Sequence, residues 1–310
     1  LRLGHGRAPM GMIASAAAVL AALLGGAALT FVFDCLVARW GLEAGPARAV
    51  GLGRGLDLPN ADRWLLPAGP AVALGGVALA VVVIPFGPGL IGRDLGVGLF
   101  YVIVVVDFVV LGLALAGWGA NTPEAVEACY RIVAQLVAYV VPLGLAYVGV
   151  VMMAGSLSTV AVVAAQRDLW FVVLQPMGFL LYLVTGLMQS YRAPFLEPFA
   201  DSIGGGVLGA AGGWSALLWR VALAGVLFVV AAVGAVLYLG GPSGPWLPGW
   251  AWMLAKTYAL MALMLGLGRC VRPFSTAGML ALSWKALIPA GLVNVLLVGG
   301  LILLGVGPRA

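Results

Sequence analysis

The chain has 310 residues, of which 63% are hydrophobic and 9% charged. Soluble domains carry roughly 25% charged residues, so a soluble globule is excluded. The net charge of +5 reads as loop arginine without interleaved aromatics, so no nucleic-acid partner is expected.

Apolar runs long enough to cross a bilayer, about 20 residues at 1.5 Å per residue, recur along the whole chain. They fall at 10–33, 66–87, 97–117, 130–153, 170–188, 215–241, 250–268 and 280–306. The fold expected is all-α: a polytopic integral membrane helix bundle of about eight transmembrane helices, in a single membrane domain over 1–310. The first run follows Arg2 and Arg7 but is too long for the hydrophobic region of a signal peptide, and is read as a span. Glycine and alanine within the runs suit close helix packing in lipid.

Lysine and arginine counts orient the bundle. The loops after spans 1, 3, 5 and 7 and their flanks carry Arg39, Arg48, Arg54, Arg63, Arg131, Arg192, Arg220, Arg269, Arg272 and Lys285. The opposite side has Arg2, Arg7, Arg93, Arg167 and Arg309. The first side is therefore expected to be cytoplasmic, with both termini outside the cell. Its loops are 34–65, 118–130, 189–214 and 269–282, and docking or chemistry is expected there.

Few side chains are candidates for chemistry. Within the third run, Asp107 stands mid-span in VVVDFVVLG. An acid at that depth is costly, and serves either as a proton carrier or cation partner, or as a plain hydrogen-bond acceptor. Before the fourth span, Thr122 and Pro123 read as helix N-cap and first helical residue, with Glu124 and Glu127 in or near the first turn. Lys256, inside the seventh span, either pairs with a carboxylate or snorkels to the outer interface. The lone His5 and the scattered Cys35, Cys129 and Cys270 offer no metal or cluster ligand set and no Ser–His or Cys–His pair.

The order of short motifs resembles the H-type membrane subunit of bacterial NADH–quinone oxidoreductase, respiratory complex I, over nearly the whole chain. The matching stretches are Ala38-Arg39, Gly45-Pro46-Ala47-Arg48, Ala61-Asp62-Arg63, Ile84-Pro85-Phe86-Gly87 and Gly117-Trp118 with Asn121. Further on they are Arg131 with Ala134-Gln135 and Tyr139, then Ala154-Gly155-Ser156-Leu157 and Gln175-Pro176. Arg192-Ala193-Pro194-Phe195, Lys256-Thr257, and Trp284-Lys285 with Pro289 complete the series.

The resemblance implies a membrane-arm subunit of a proton-translocating NADH–quinone oxidoreductase in the bacterial cell membrane, not catalytic alone. Its loops would dock the hydrophilic redox subunits and help to form a quinone chamber coupled to proton translocation. Quinone would be the substrate of the complex. Flavin and iron–sulfur clusters would sit in partner subunits, and this chain would bind no cofactor or metal itself. Other membrane subunits and the lipid bilayer would be its remaining partners. By position, Arg39, Arg48, Asp62, Gln135, Tyr139 and Arg192 would serve the chamber or docking. Asp107, Glu127 and Asp201 would form the acidic proton path.

The chain also departs from the family pattern. Phe33-Asp34-Cys35 replaces Glu-Arg-Lys, Val140 stands where the family has glutamate, and only Glu197 and Asp201 follow the Arg-Ala-Pro-Phe stretch. The segment holding Gly51, Gly53 and Gly55 stands in place of an amphipathic helix. These losses motivate an alternative, a degenerate paralogue with a structural or assembly role in a complex I-like or membrane-bound hydrogenase-like complex.

Overall fold

A computed structural model describes residues 60–87, 89–195, 206–208, 211 and 213–305. The first expected span, 10–33, lies outside the described residues. The other seven expected spans all fall on helices, and apart from short 3-10 and π turns every regular element among the described residues is an α-helix. The chain is therefore a polytopic membrane helix bundle.

Helix α1 runs Leu65–Val81. Its expected span continued to 87, but Pro85 cannot donate to a helical ladder, and Phe86–Leu90 forms a small turn instead. The third expected span is a helix pair, α2 Gly98–Val106 and α3 Phe108–Ala120, interrupted at Asp107. Together they cover 23 residues of high hydropathy, enough to cross a bilayer.

Helix α4 is Pro123–Ala154, 32 residues or about 48 Å, well beyond the roughly 30 Å of bilayer hydrocarbon. Thr122 accepts the Ala125 N–H and Pro123 occupies the first turn, so the helix starts at its cap rather than at the edge of the apolar run. The loop expected at 118–130 is consequently mostly helix. Gly155, in the left-handed region at φ 66, ends α4.

After α5, Thr159–Ala165, the fifth expected span divides. A single turn, α6 Phe171–Leu174, is followed by α7 Pro176–Gln189. The division falls at Gln175-Pro176 because proline has no N–H to continue the ladder.

Helix α8, Gly213–Tyr238, is apolar on every side, and 94% of its most hydrophobic window is buried against protein. It packs on α1, α3, α4, α5, α6 and α7, and on α9, Gly249–Cys270. A helix hydrophobic all round belongs in the middle of a bundle.

The last span joins α10, Thr276–Leu282, through a π-helical turn at Ser283–Leu287 to α11, Ile288–Leu303. Pro289 cannot donate to the Lys285 carbonyl, and the wide turn absorbs that missing bond. Helix α10 takes up part of the loop expected at 269–282. The window spanning α10 and α11 is only 22% buried, so this helix forms the edge of the bundle.

Small residues let α1 and α3 pack closely. A Cβ on Gly69 would lie 2.7 Å from the Gly112 carbonyl oxygen, and one on Gly112 would strike the Gly69 carbonyl. The backbones touch there, as helices in lipid do where no side chain separates them.

Candidate functional site

Asp107 is the seed of a polar cluster inside the bundle. The helical ladder is broken around it, and its carboxylate turns toward α4 and α7. Tyr139 O–H on α4 donates to Asp107 Oδ1 at 2.8 Å, and Gln189 Nε2 at the end of α7 donates to the same oxygen at 3.2 Å. Tyr139 is fully buried. Among the described residues no lysine or arginine pairs with Asp107. A carboxyl held at bilayer depth by two neutral donors is chemically equipped to exchange a proton.

One turn before Tyr139, Gln135 fixes the chain that follows α7. Its Nε2 donates to the carbonyls of Met188 at 2.6 Å and Phe195 at 3.3 Å. The intervening Tyr191-Arg192-Ala193-Pro194 folds tightly, with Tyr191 at φ 53 and a cis Ala193–Pro194 bond. Phe274 N–H donates to the Pro194 carbonyl, and the Phe195 and Phe274 rings stack at 5.4 Å. Gly268 on α9 lies directly under the Ala193 carbonyl, where a Cβ would collide. Arg192 is thereby carried into the interior, 1% exposed.

Of the expected site residues, Asp107 and Tyr139 are hydrogen-bonded to each other, Gln135 lies one turn from Tyr139, and Arg192 is buried in the segment that Gln135 holds. Two others do not join them. Glu127 is exposed on the first turns of α4 and pairs with Arg131 at 2.6 Å, one helical turn away. It lines a surface groove with Asn121, Thr122, Pro123, Val126 and Tyr130. Asp62 is a cap: its Oδ1 accepts the N–H groups of Trp64 at 2.7 Å and Leu65 at 3.0 Å, where α1 begins. Arg39, Arg48 and Asp201 lie outside the described residues. No group of three or more potential metal ligands occurs among the described residues.

The N–H bonds from Leu65 and Trp64 hold the Asp62 carboxyl below its ordinary range. A carboxyl depressed on folding adds stability above its unfolded pKa and loses it as pH falls through the folded one. Asp62→Asn is thus expected to lower the melting temperature at neutral pH. That difference should shrink in melting curves recorded at increasingly acidic pH.

Sequence reading missed Gln189 and the backbone cage of Lys256. The signal for Gln189 was an amide at the end of an apolar run, a costly group to place without a partner. Lys256 Nζ donates to three carbonyls, Leu239 at 2.6 Å, Gly241 at 3.0 Å and Ser243 at 2.7 Å. It also lies 4.5 Å from the Trp170 ring centroid and 5.6 Å from that of Trp252. Its partners are neutral dipoles and π faces, with no carboxylate among them.

Beyond Asp107, buried tyrosines continue toward the other end of α4. The Tyr147 and Tyr182 rings lie 6.1 Å apart, Tyr182 O–H donates to the Val230 carbonyl at 2.6 Å, and Tyr238 O–H donates to the Ala146 carbonyl at 3.2 Å.

Comparison with known proteins places the chain in a family. A family model described as NADH dehydrogenase matches residues 57–299. An H-type NADH-quinone oxidoreductase subunit of Geobacter metallireducens is 35% identical over 257 residues, covering 79% of this chain and 78% of that protein. The H-type subunit of Geobacillus kaustophilus is 33% identical over 242 residues, 76% of this chain and 73% of its own. In three dimensions the chain resembles one from the membrane-bound sulfane sulfur reductase, an archaeal respiratory membrane complex. The TM-score is 0.79 at 20% identity, over 92% of this chain and 99% of that one, a likeness of fold.

Proposed function

Because this chain belongs to the NADH dehydrogenase family, as an H-type subunit of NADH-quinone oxidoreductase, we propose that it docks the redox arm and links quinone reduction to proton movement. Membership makes it a membrane subunit of a multi-subunit oxidoreductase rather than an enzyme acting alone. Quinone is the substrate of that assembly, and flavin and iron–sulfur clusters belong to hydrophilic partner subunits.

The observation that carries the coupling role is the Asp107–Tyr139–Gln189 cluster beside buried Gln135 and Arg192. In this reading Asp107 holds and releases the proton, while Tyr139 and Gln189 fix its carboxylate. Gln135 and Arg192 shape the chamber wall through the folded Arg192–Phe195 segment. Glu127 lies on the surface approach to that path, Asp62 supports the start of α1, and Arg39 and Arg48 serve docking, as the family resemblance implies. The family resemblance assigns Asp201 to the same acidic path. The loop arginines orient the molecule with loops 34–65, 118–130, 189–214 and 269–282 facing the cytoplasm and the N-terminus outside the bacterial membrane.

Purification of the tagged chain from its native membrane tests the assembly. Flavin and iron–sulfur subunits with quinone reductase activity are expected to accompany it. A chain recovered repeatedly without redox partners would overturn the reading.

A further inference from the structure

The break between α6 and α7 gathers polar groups that nothing in the cluster around Asp107 uses. Gln175 sits at the break and is 2% exposed; Asn294, on α11, is 1% exposed. Neither the nitrogen nor the oxygen of the Gln175 side chain has a hydrogen-bond partner, and the Asn294 side-chain nitrogen has none either. Both amides converge on Gly149 of α4. A Cβ there would lie 2.7 Å from Asn294 Nδ2 and 2.7 Å from Gln175 Oε1. Gly178, in the first turn of α7, faces the same Asn294 amide, its Cβ position 3.0 Å from Nδ2 and 3.1 Å from Oδ1.

Two glycines on separate helices thus let two buried amides approach the backbone, where a Cβ would crowd them. The first N–H groups of α7 add donors, because a helix start has no internal partners for them. Buried amides left unpaired are strongly unfavourable, more so at bilayer depth where water is scarce.

We propose that Gln175, Asn294 and the first turn of α7 form a binding site for one ordered water molecule. The chemistry selects the ligand. Whichever way each amide is turned, the pair presents both donors and acceptors. A bare cation would face N–H groups, and an anion would face a carbonyl oxygen. Water both donates and accepts, and a buried water ordinarily makes about three hydrogen bonds. A methyl at Gly149 would press on both amides and displace them from the water. The water would join α4, α6–α7 and α11, and so stabilise the break in the fifth span.

Cryo-electron microscopy of the intact assembly in lipid, at a resolution that shows water, tests this. A density peak is expected within about 3 Å of both the Gln175 and Asn294 side chains. It should be lost in Gly149→Ala, and also in Gln175→Met, which keeps the side-chain volume should the first variant fail to assemble. Two amides bonded directly to each other with no peak between them would overturn the proposal. So would a peak present in sodium buffer and lost after exchange into choline, which would mark a cation site.

Discussion

Lys256→Met is expected to destabilise the bundle by about 3 kcal/mol. The ammonium now satisfies the carbonyls of Leu239, Gly241 and Ser243 together, and methionine satisfies none of them. Hydrogen bonds to charged groups contribute about 1.5–3 kcal/mol each, but the loop can relax and recover part of that loss. The contacts with Trp170 and Trp252 vanish too, which loosens the link between α9 and the start of α6. Thermal unfolding of the purified assembly, read by release of this chain, measures the effect. Lys256→Arg should retain some of the stability, since a guanidinium also donates to carbonyls and stacks on indole. A Met variant that melts like the unsubstituted protein would show that the cage adds nothing.

Asp107→Asn is expected to lower quinone-coupled proton translocation by about tenfold or more while leaving assembly intact. Asparagine can still accept from Tyr139 and Gln189 through its amide oxygen, so the local fold should survive. What it cannot do is carry a proton. Asp107→Leu removes the acceptor as well and leaves the buried Tyr139 hydroxyl unpaired, costing about 1–3 kcal/mol of stability. Acidification of proteoliposomes, measured beside electron transfer to a short-chain quinone, separates the two effects. An Asn variant that pumps normally would make Asp107 a structural acceptor. The degenerate-paralogue reading, with a structural or assembly role only, would then be favoured.

These two residues illustrate what could be read from one dimension. Asp107 and Lys256 announced themselves because charge inside an apolar run is costly and rare. Their partners did not. Tyr139 lies 32 positions from Asp107 and Gln189 lies 82, and no spacing rule links them. The carbonyls around Lys256 belong to a turn with positive φ at Gly240 and Gly241, a geometry that hydropathy does not encode. Glu127 shows the converse. It stands in the family motif region, yet the turn of helix below it supplies Arg131, and the pair points to the surface.

By itself, the sequence determined that this chain lies in a membrane as an all-helical bundle, because length and hydropathy of each run act locally and need no partner. It also determined where α4 begins, since Thr122 and Pro123 meet the cap requirements of the helix they start. Only the tertiary structure decided which helix is central. Helices α8 and α11 are similarly apolar, yet one is enclosed by protein and the other lies at the rim. Hydrophobic side chains are as stable against lipid as against one another, so composition cannot choose between these places. Packing chose through glycine contacts and inward-facing polar groups, and it brought Tyr139 and Gln189 onto Asp107.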